Sequence, residues 1–204
     1  MDEVLQKLPN VSFYWAGDGQ YRNRITERLE KYENFHWLGK LEYPDKVREF
    51  LSEIDIYALI TGMDLSSLSL KEAQLMKRPV VATNVGGNPE MMKDGITGFL
   101  VEKGNHKQLI EKIKLLLTDK KLSEQMGNEG RRFIEETYNW EVAAKKFIQM
   151  VELKKESPVP LMLDESIWTE EHILKTIELD CAEYVKLKLF KHGSVNETKR
   201  LIFN

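Results

Sequence analysis

Over its first two thirds the chain alternates short apolar runs with amphipathic stretches. Val11–Ala16 (VSFYWA) is aromatic and β-branched, so it reads as a strand, and it ends at Gly17-Asp18-Gly19. Ile25, Leu29 and Tyr32 then recur at helical spacing. Phe35–Leu38 reads as a second strand, closed by Gly39. Pro44-Asp45 opens a helix with Val47, Leu51 and Ile54 on one face. Ile56–Ile60 (IYALI) is a third strand, a continuous apolar run of the kind found where both faces of a sheet are covered. Leu68–Met76 predicts a helix and Pro79–Ala82 a fourth strand. After Gly86-Gly87, Asn88–Lys93 predicts a short helix. Asp94-Gly95 marks a turn before a fifth strand at Gly98–Val101.

From Asn105 the pattern is helical. Leu109, Ile110, Ile113, Leu116 and Leu117 form one apolar face, and Leu122, Met126, Phe133 and Ile134 form another. A third helix is predicted over Trp140–Leu153. Strand–helix alternation of this kind implies an α/β fold, a Rossmann-like parallel sheet with helices on both faces. Two prolines in Lys154–Pro160 break the last helix. The expected organisation is therefore a domain over residues 1–154 and an extension over 155–204. In the extension Thr169 caps a helix whose stripe is Ile173, Leu174, Ile177, Cys181, Tyr184 and Val185. A strap followed by one long helix, a helical C-terminal extension, is the expectation.

Composition narrows the function classes. Of 204 residues 42% are hydrophobic and 31% charged, an ordinary globular balance. The net charge of -3 argues against a nucleic-acid partner. The single cysteine, Cys181, excludes an intrachain disulfide and a cysteine-based zinc cage. The four histidines have no metal-ligand spacing, so neither a metal nor a bound cofactor is expected. No apolar run is long enough to span a bilayer, and the N-terminus lacks a signal-peptide pattern. These features read as a cytoplasmic protein without a transmembrane segment, with peripheral membrane contact left open.

In an open parallel sheet, ligands sit beyond the carboxyl ends of the strands. The loops that matter are then Gly17–Gly19, Gly39–Tyr43, Thr61–Ser69 and Asn84–Glu90. The third runs into a helix N-terminus, where free N–H groups and the helix dipole attract phosphate. Asp64 and Glu72 are the carboxylates of that unit. In an anion site, their chemistry is to accept hydrogen bonds from sugar or ribose hydroxyls. On local grounds Asp64 reads equally well as a loop cap, Gly17 and Gly86-Gly87 as turns, and Glu90 as a first-turn acid.

Asp64-x7-Glu72-Ala73, Pro79-Val80-Val81-Ala82-Thr83, Gly86-Gly87, Glu90 and Asp94-Gly95-x-x-Gly98 form an ordered series. With Ala16-Gly17-Asp18-Gly19, Trp37-Leu38-Gly39 and Tyr138-Asn139-Trp140, the series resembles the C-terminal half of group 1 glycosyltransferases of the two-Rossmann-domain (GT-B) architecture. The resemblance runs from about Val11 to about Leu153. It implies transfer of a sugar from a nucleotide diphosphate sugar (a UDP-, GDP- or ADP-sugar), without a metal. By the same resemblance Glu72 holds the donor ribose and Asp64 contacts the donor sugar. The amides of Leu65, Ser66, Ser67 and Leu68 face the diphosphate. Leu38, Gly39, Lys40 and Leu41 border the base, Gly17 lines the diphosphate side, and Gly86 and Gly87 lie on a ligand-facing loop.

The chain also departs from the family pattern. Position 64 is Asp where Glu is usual, Ser66-Ser67 replace Phe-Gly, Ile60-Thr61 replace Pro-Ser, and Lys77 stands where a glycine ends the helix. The family's N-terminal acceptor domain has no counterpart here. Nor does the first strand of the C-terminal domain, with the basic residues that neutralise the diphosphate; Arg22, Arg24 and Lys40 are candidate substitutes. In the strand order 3-2-1-4-5-6 that missing strand is central, so its absence predicts two unpaired inner edges. Candidates to fill the gap are Met1–Leu8, Val159–Leu163, Leu201–Phe203 or another chain carrying the acceptor domain. The resulting expectation is the donor-binding half of a glycosyltransferase. Alternatives are a non-catalytic binding or scaffold module derived from one and, more remotely, a sugar-nucleotide epimerase.

Overall fold

The structure, a computed structural model, describes residues 1–139 together with 141, 142, 145, 149, 162, 163, 178, 184 and 185. The chain forms two compact units, Met1–Thr137 and Tyr138–Asn204. In the first unit the order is α1 (Asp2–Lys7), β1 (Phe13–Ala16), α2 (Arg22–Leu29), β2 (Phe35–Gly39), α3 (Asp45–Glu53) and β3 (Tyr57–Leu59). It continues with α4 (Leu68–Leu75), β4 (Val80–Thr83), a 3-10 turn at Asn88–Glu90, β5 (Gly98–Val101), α5 (His106–Thr118) and α6 (Lys120–Thr137). Every strand pairing is parallel, as strand–helix alternation requires.

The strands form two separate groups. β1 pairs with β2, and β3, β4 and β5 form a second sheet in that order. Among the described residues, β1 and β3 each have one strand partner and do not pair with each other. The two groups nevertheless share a core. Phe13 of β1 and Ile56 beside β3 pack on the same cluster as Val81, Phe99, Val101 and the α5 face Leu109, Ile110, Ile113 and Leu116. The opposite face of the second sheet is covered by Leu51 of α3 and by Leu70 and Ala73 of α4, packed on Val80 and Ala82. A smaller cluster covers β1 and β2, where Trp15 and Trp37 stack with ring centroids 5.8 Å apart. Such a cross-strand aromatic pair stabilises a short two-stranded sheet that has few neighbours.

The Met1–Leu8 segment does not supply a strand. It is the helix α1, with Val4 and Leu8 in the large core cluster and Leu5 in the small one. The Asn34 side-chain amide fastens it, donating to the carbonyls of Leu8 at 3.0 Å and Val11 at 3.1 Å. Arg28 adds an ion pair to Asp2 at 2.8 Å.

In the second unit β6 (Met162–Leu163) pairs in parallel with β7 (Tyr184–Val185). This corrects the expected uninterrupted helix up to His192-Gly193. Tyr184 and Val185 are aromatic and β-branched, residue types that favour extended chain over helix. Glu178 is helical. Most of the predicted Trp140–Leu153 helix, the remainder of the strap and Leu201–Phe203 lie outside the described residues.

Candidate functional site

The loops singled out in the sequence meet at the carboxyl ends of the strands in specific pairs. After β1 and β2, Gly17 N–H donates to the Gly39 carbonyl at 2.7 Å. Both glycines have positive φ, 134° and 71°, so the junction needs residues without a side chain. Asp18 turns back on its own loop. It accepts from Gly19 N–H at 2.8 Å and pairs weakly with Arg22 at 3.5 Å. Leu38 and Lys40 are exposed, and Leu41 is half-buried.

After β3 and β4 the backbones touch. Gly87 N–H donates to the Asp64 carbonyl at 2.7 Å. A Cβ at Gly86 would lie 2.0 Å from that carbonyl oxygen, and one at Gly87 would lie 2.1 Å from the Leu65 carbonyl oxygen. The glycine pair is thus required where one site loop rests on another. Thr83 completes the clamp: Thr61 N–H donates to its hydroxyl at 3.1 Å, and the hydroxyl donates to the Thr61 carbonyl at 2.8 Å. Asn88, fully buried, donates to the Thr83 carbonyl at 2.9 Å. Among the described residues its Oδ1 has no hydrogen-bond partner.

The start of α4 is built from hydroxyls. Ser67 caps the helix by accepting from Leu70 N–H at 3.3 Å. Its hydroxyl lies 3.1 Å from that of Ser69, which in turn receives the Tyr57 hydroxyl at 2.7 Å. Asp64 Oδ1 accepts from Ser66 N–H at 3.1 Å, so this carboxylate shapes the loop as an Asx turn does. Leu65, at 81% exposure, and Leu68 face outward beside it. Helix geometry leaves the first-turn amides of Leu68 and Ser69 without acceptors inside the helix, the arrangement that draws anions to helix starts.

Glu72 lies one turn into α4, half-buried. Burial raises its pKa, and a hydrogen bond with the Tyr43 side chain opposes that rise. Tyr57 senses both carboxylates: burial raises its pKa, its bond with Ser69 opposes this, and Glu72 and Asp64 push it up further. Asp64 and Glu72 therefore both act electrostatically on one half-buried phenol.

Three residues that sequence reasoning did not single out belong to this site. Tyr57 sits inside an apolar strand run, where an aromatic reads as core. Lys71 directs its ammonium to the Ser66 hydroxyl at 3.0 Å, and burial lowers its pKa. Lys103, beyond β5, donates to the Gly62 carbonyl at 3.3 Å. Both lysines thus come to the Thr61–Ser69 loop, while Arg22, proposed as a substitute cation, is engaged with Asp18. Among the described residues no cluster of three or more His, Cys, Asp or Glu side chains is arranged to hold a metal. No described helix is long and apolar enough to cross a membrane.

The sequence model of the family described as glycosyl transferases group 1 matches residues 1–133. The chain belongs to this family. The match coincides with the first compact unit, which holds all the loops described above. Among curated relatives, a capsular polysaccharide biosynthesis glycosyltransferase, CapM of Staphylococcus aureus, is 41% identical over 71 residues, 35% of this chain and 19% of that protein. A poly(ribitol-phosphate) alpha-N-acetylglucosaminyltransferase of S. aureus is 25% identical over 148 residues, 72% of this chain and 30% of that protein. A crystal structure of a TarM variant from S. aureus, in complex with fondaparinux, alpha-GlcNAc-glycerol and UDP, aligns with a TM-score of 0.62 at 25% identity. That alignment covers 72% of this chain and 30% of TarM. The chain therefore spans less than a third of each of these three relatives.

Proposed function

We propose that the Met1–Thr137 unit of this group 1 glycosyltransferase binds the nucleotide and diphosphate of a sugar donor. The acceptor would be held by polypeptide outside this chain. The observation that carries the reading is Glu72, a half-buried carboxylate one turn into α4, the helix that the Thr61–Ser69 loop leads into. Such a carboxylate gains from receiving further hydroxyl donors, and a ribose offers a vicinal pair. The TarM variant with UDP in its crystal supports a uridine nucleotide first, with GDP and ADP as the competing bases.

In this reading the orphan amides of Leu68 and Ser69 receive the diphosphate, with Lys71 and Lys103 as the nearby cations. The bond between the anomeric carbon and the leaving diphosphate oxygen breaks, and negative charge grows on the phosphate oxygens. Donors fixed in advance at the helix start and on the lysines hold that charge without reorganising. Asp64, already braced by Ser66 N–H, orients the donor sugar. The bracing also compensates for its short side chain, because the Gly86-Gly87 contact sets where the Asp64 backbone lies.

Calorimetric titration of the full chain with UDP, GDP and ADP tests this. Glu72→Ala is expected to weaken nucleotide binding by roughly tenfold to a hundredfold, the worth of hydrogen bonds to a charged group. Lys71→Ala is expected to weaken UDP more than uridine, since its charge acts on phosphate. Absence of binding at millimolar nucleotide by the folded chain would overturn the proposal in favour of a non-catalytic module.

A further inference from the structure

The loop that carries Asp64 and the helix that follows it are held in different ways. Thr61 and Asp64 are half-buried, while Gly62, Met63, Leu65 and Ser66 are exposed. The loop therefore puts no apolar anchor into the core. Helix α4 does, through Leu70 and Ala73, which pack on Val80 and Ala82. Burial fixes where α4 lies, but it is non-directional and acts on apolar area, which the loop does not bury. Polar contacts must fix where the loop lies.

Those contacts converge on Thr83. β3 ends at Leu59, opposite Ala82, and β4 runs one residue further to Thr83. Val80, Val81 and Ala82 are buried and apolar, and Thr83 adds a buried hydroxyl at the end of the strand. That hydroxyl accepts from Thr61 N–H at 3.1 Å and donates to the Thr61 carbonyl at 2.8 Å. One side chain thus serves both backbone groups of the residue at which the loop leaves the sheet. From behind, the Asn88 amide donates to the Thr83 carbonyl at 2.9 Å. Asn88 is fully buried, and among the described residues its Oδ1 is unpaired. A buried unpaired oxygen is costly, and folds keep such departures where a site needs an exact position. The Gly86-Gly87 backbone blocks movement of the loop toward the loop after β4. Movement the other way is resisted by hydrogen bonds: Thr83 at the root, Gly87 N–H on the Asp64 carbonyl, and the exposed Lys103 side chain on Gly62.

We propose that Thr83 is a positioning residue of the donor site: its hydroxyl, backed by Asn88, sets the Thr61–Ser69 loop and so places Asp64 and the approach to α4 against the diphosphate. The proposal rests on the donor reading given above. Thr83 is buried, so it acts through the loop and touches no ligand itself. Glu72 lies outside this line of contacts, on a helix that the core holds. So does the loop after β2, which is tied to β1 through Gly17 and Gly39. Loss of the Thr83 hydroxyl therefore separates the two ends of the donor. Grip on the diphosphate weakens, and grip on the nucleoside persists.

Thr83→Val keeps the shape of the side chain and removes the hydroxyl, whereas Thr83→Ser keeps the hydroxyl. Both are made in the full chain. Backbone hydrogen exchange is read at Gly87, whose N–H bridges the two loops, and affinity is titrated for UDP and for uridine. For Thr83→Val, exchange at Gly87 is expected to be roughly tenfold faster or more. UDP binding is expected to weaken about tenfold, and uridine binding to stay within about twofold of the parent. Thr83→Ser is expected to restore all three to within about threefold of the parent. Thr83→Ala carries the same expectations as the valine variant and replaces it where a methyl against the Thr61 carbonyl prevents folding. Unchanged exchange at Gly87 in the folded Thr83→Val chain would overturn the proposal. So would equal losses for UDP and uridine, or a serine variant as weak as the valine one, since either assigns Thr83 to packing alone. A parent chain that binds no nucleotide would sink the donor reading, and exchange at Gly87 would still decide whether Thr83 holds the loop.

Discussion

β3 and β4 are adjacent strands with similar apolar sequences and opposite environments. Val80–Thr83 is buried at every position, with paired neighbours on both sides and helices on both faces. Tyr57–Leu59 is only half-buried, its central Ala58 is exposed, and Ile60 just beyond is 46% exposed. An apolar run therefore marks a strand suited to a sheet interior, but burial is conferred by the strands on either side. The two site loops inherit this difference. The loop after β4 is anchored through buried Thr83 and Asn88, and the loop after β3 leans on it through Gly86 and Gly87.

The comparison can be broken most forcefully by truncating one side chain in each environment. Leu70→Ala removes a fully buried side chain packed on the β4 face, and a loss of about 2–5 kcal/mol is expected in urea denaturation. Ile60→Ala, at the open edge of β3, is expected to cost less than about 1 kcal/mol. Equal losses would mean that the β3 edge is covered.

A smaller effect, of opposite sign, concerns the link from α4 to β4. Lys77 has φ 57°, the left-handed conformation that the family's usual glycine would accommodate. Lys77→Gly is expected to stabilise the unit by about 1 kcal/mol, measured by thermal or urea denaturation. The gain depends on the backbone staying in place, since Gly127 of α6 packs on the Lys77 carbonyl so closely that a Cβ there would lie 2.1 Å from its oxygen.

The smallest and most specific effect is pH dependence at Glu72. Burial raises its pKa in the folded chain. A raised carboxyl favours the fold below its unfolded pKa, and that contribution is lost as pH rises through the folded value. Nucleotide binding runs the other way, because hydroxyl donors prefer the carboxylate. UDP affinity is expected to rise as pH climbs through the folded pKa of Glu72, which lies above the ordinary glutamate value, and then to level. Tyr43→Phe removes the opposing hydrogen bond, so it should move the rise to higher pH. Calorimetry across that range checks both.

Much of the fold was legible because periodicity reports which faces are buried. The five predicted strands and the helices α3 and α4 fall within a residue or two of where alternation and 3.6-residue spacing put them, and α2, α5 and α6 form where their apolar faces recur. α1 was not, because six residues are too few to show a period. In the tail, the stripe through Tyr184 and Val185 suited a helix, while their aromatic and β-branched types suited a strand, and pairing with Met162–Leu163 settled it.

The candidate site was legible only where a residue's type is tied to its role. Asp64, Glu72 and the glycines stood out as carboxylates and turn formers at the ends of predicted strands. Lys71 looked like any surface lysine, Tyr57 like core, and Lys103 lies far along the chain from the loop it reaches.

The amino-acid sequence by itself determined the strand–helix alternation, the parallel sheet, the loops that face the site and the family. Each of these is written in local spacing and residue type. The tertiary structure alone decided that Gly86 and Gly87 serve a backbone-on-backbone contact and that Met1–Leu8 is a helix. It also decided that two lysines converge on one loop. Those outcomes depend on distances between segments remote in sequence, which no local pattern encodes.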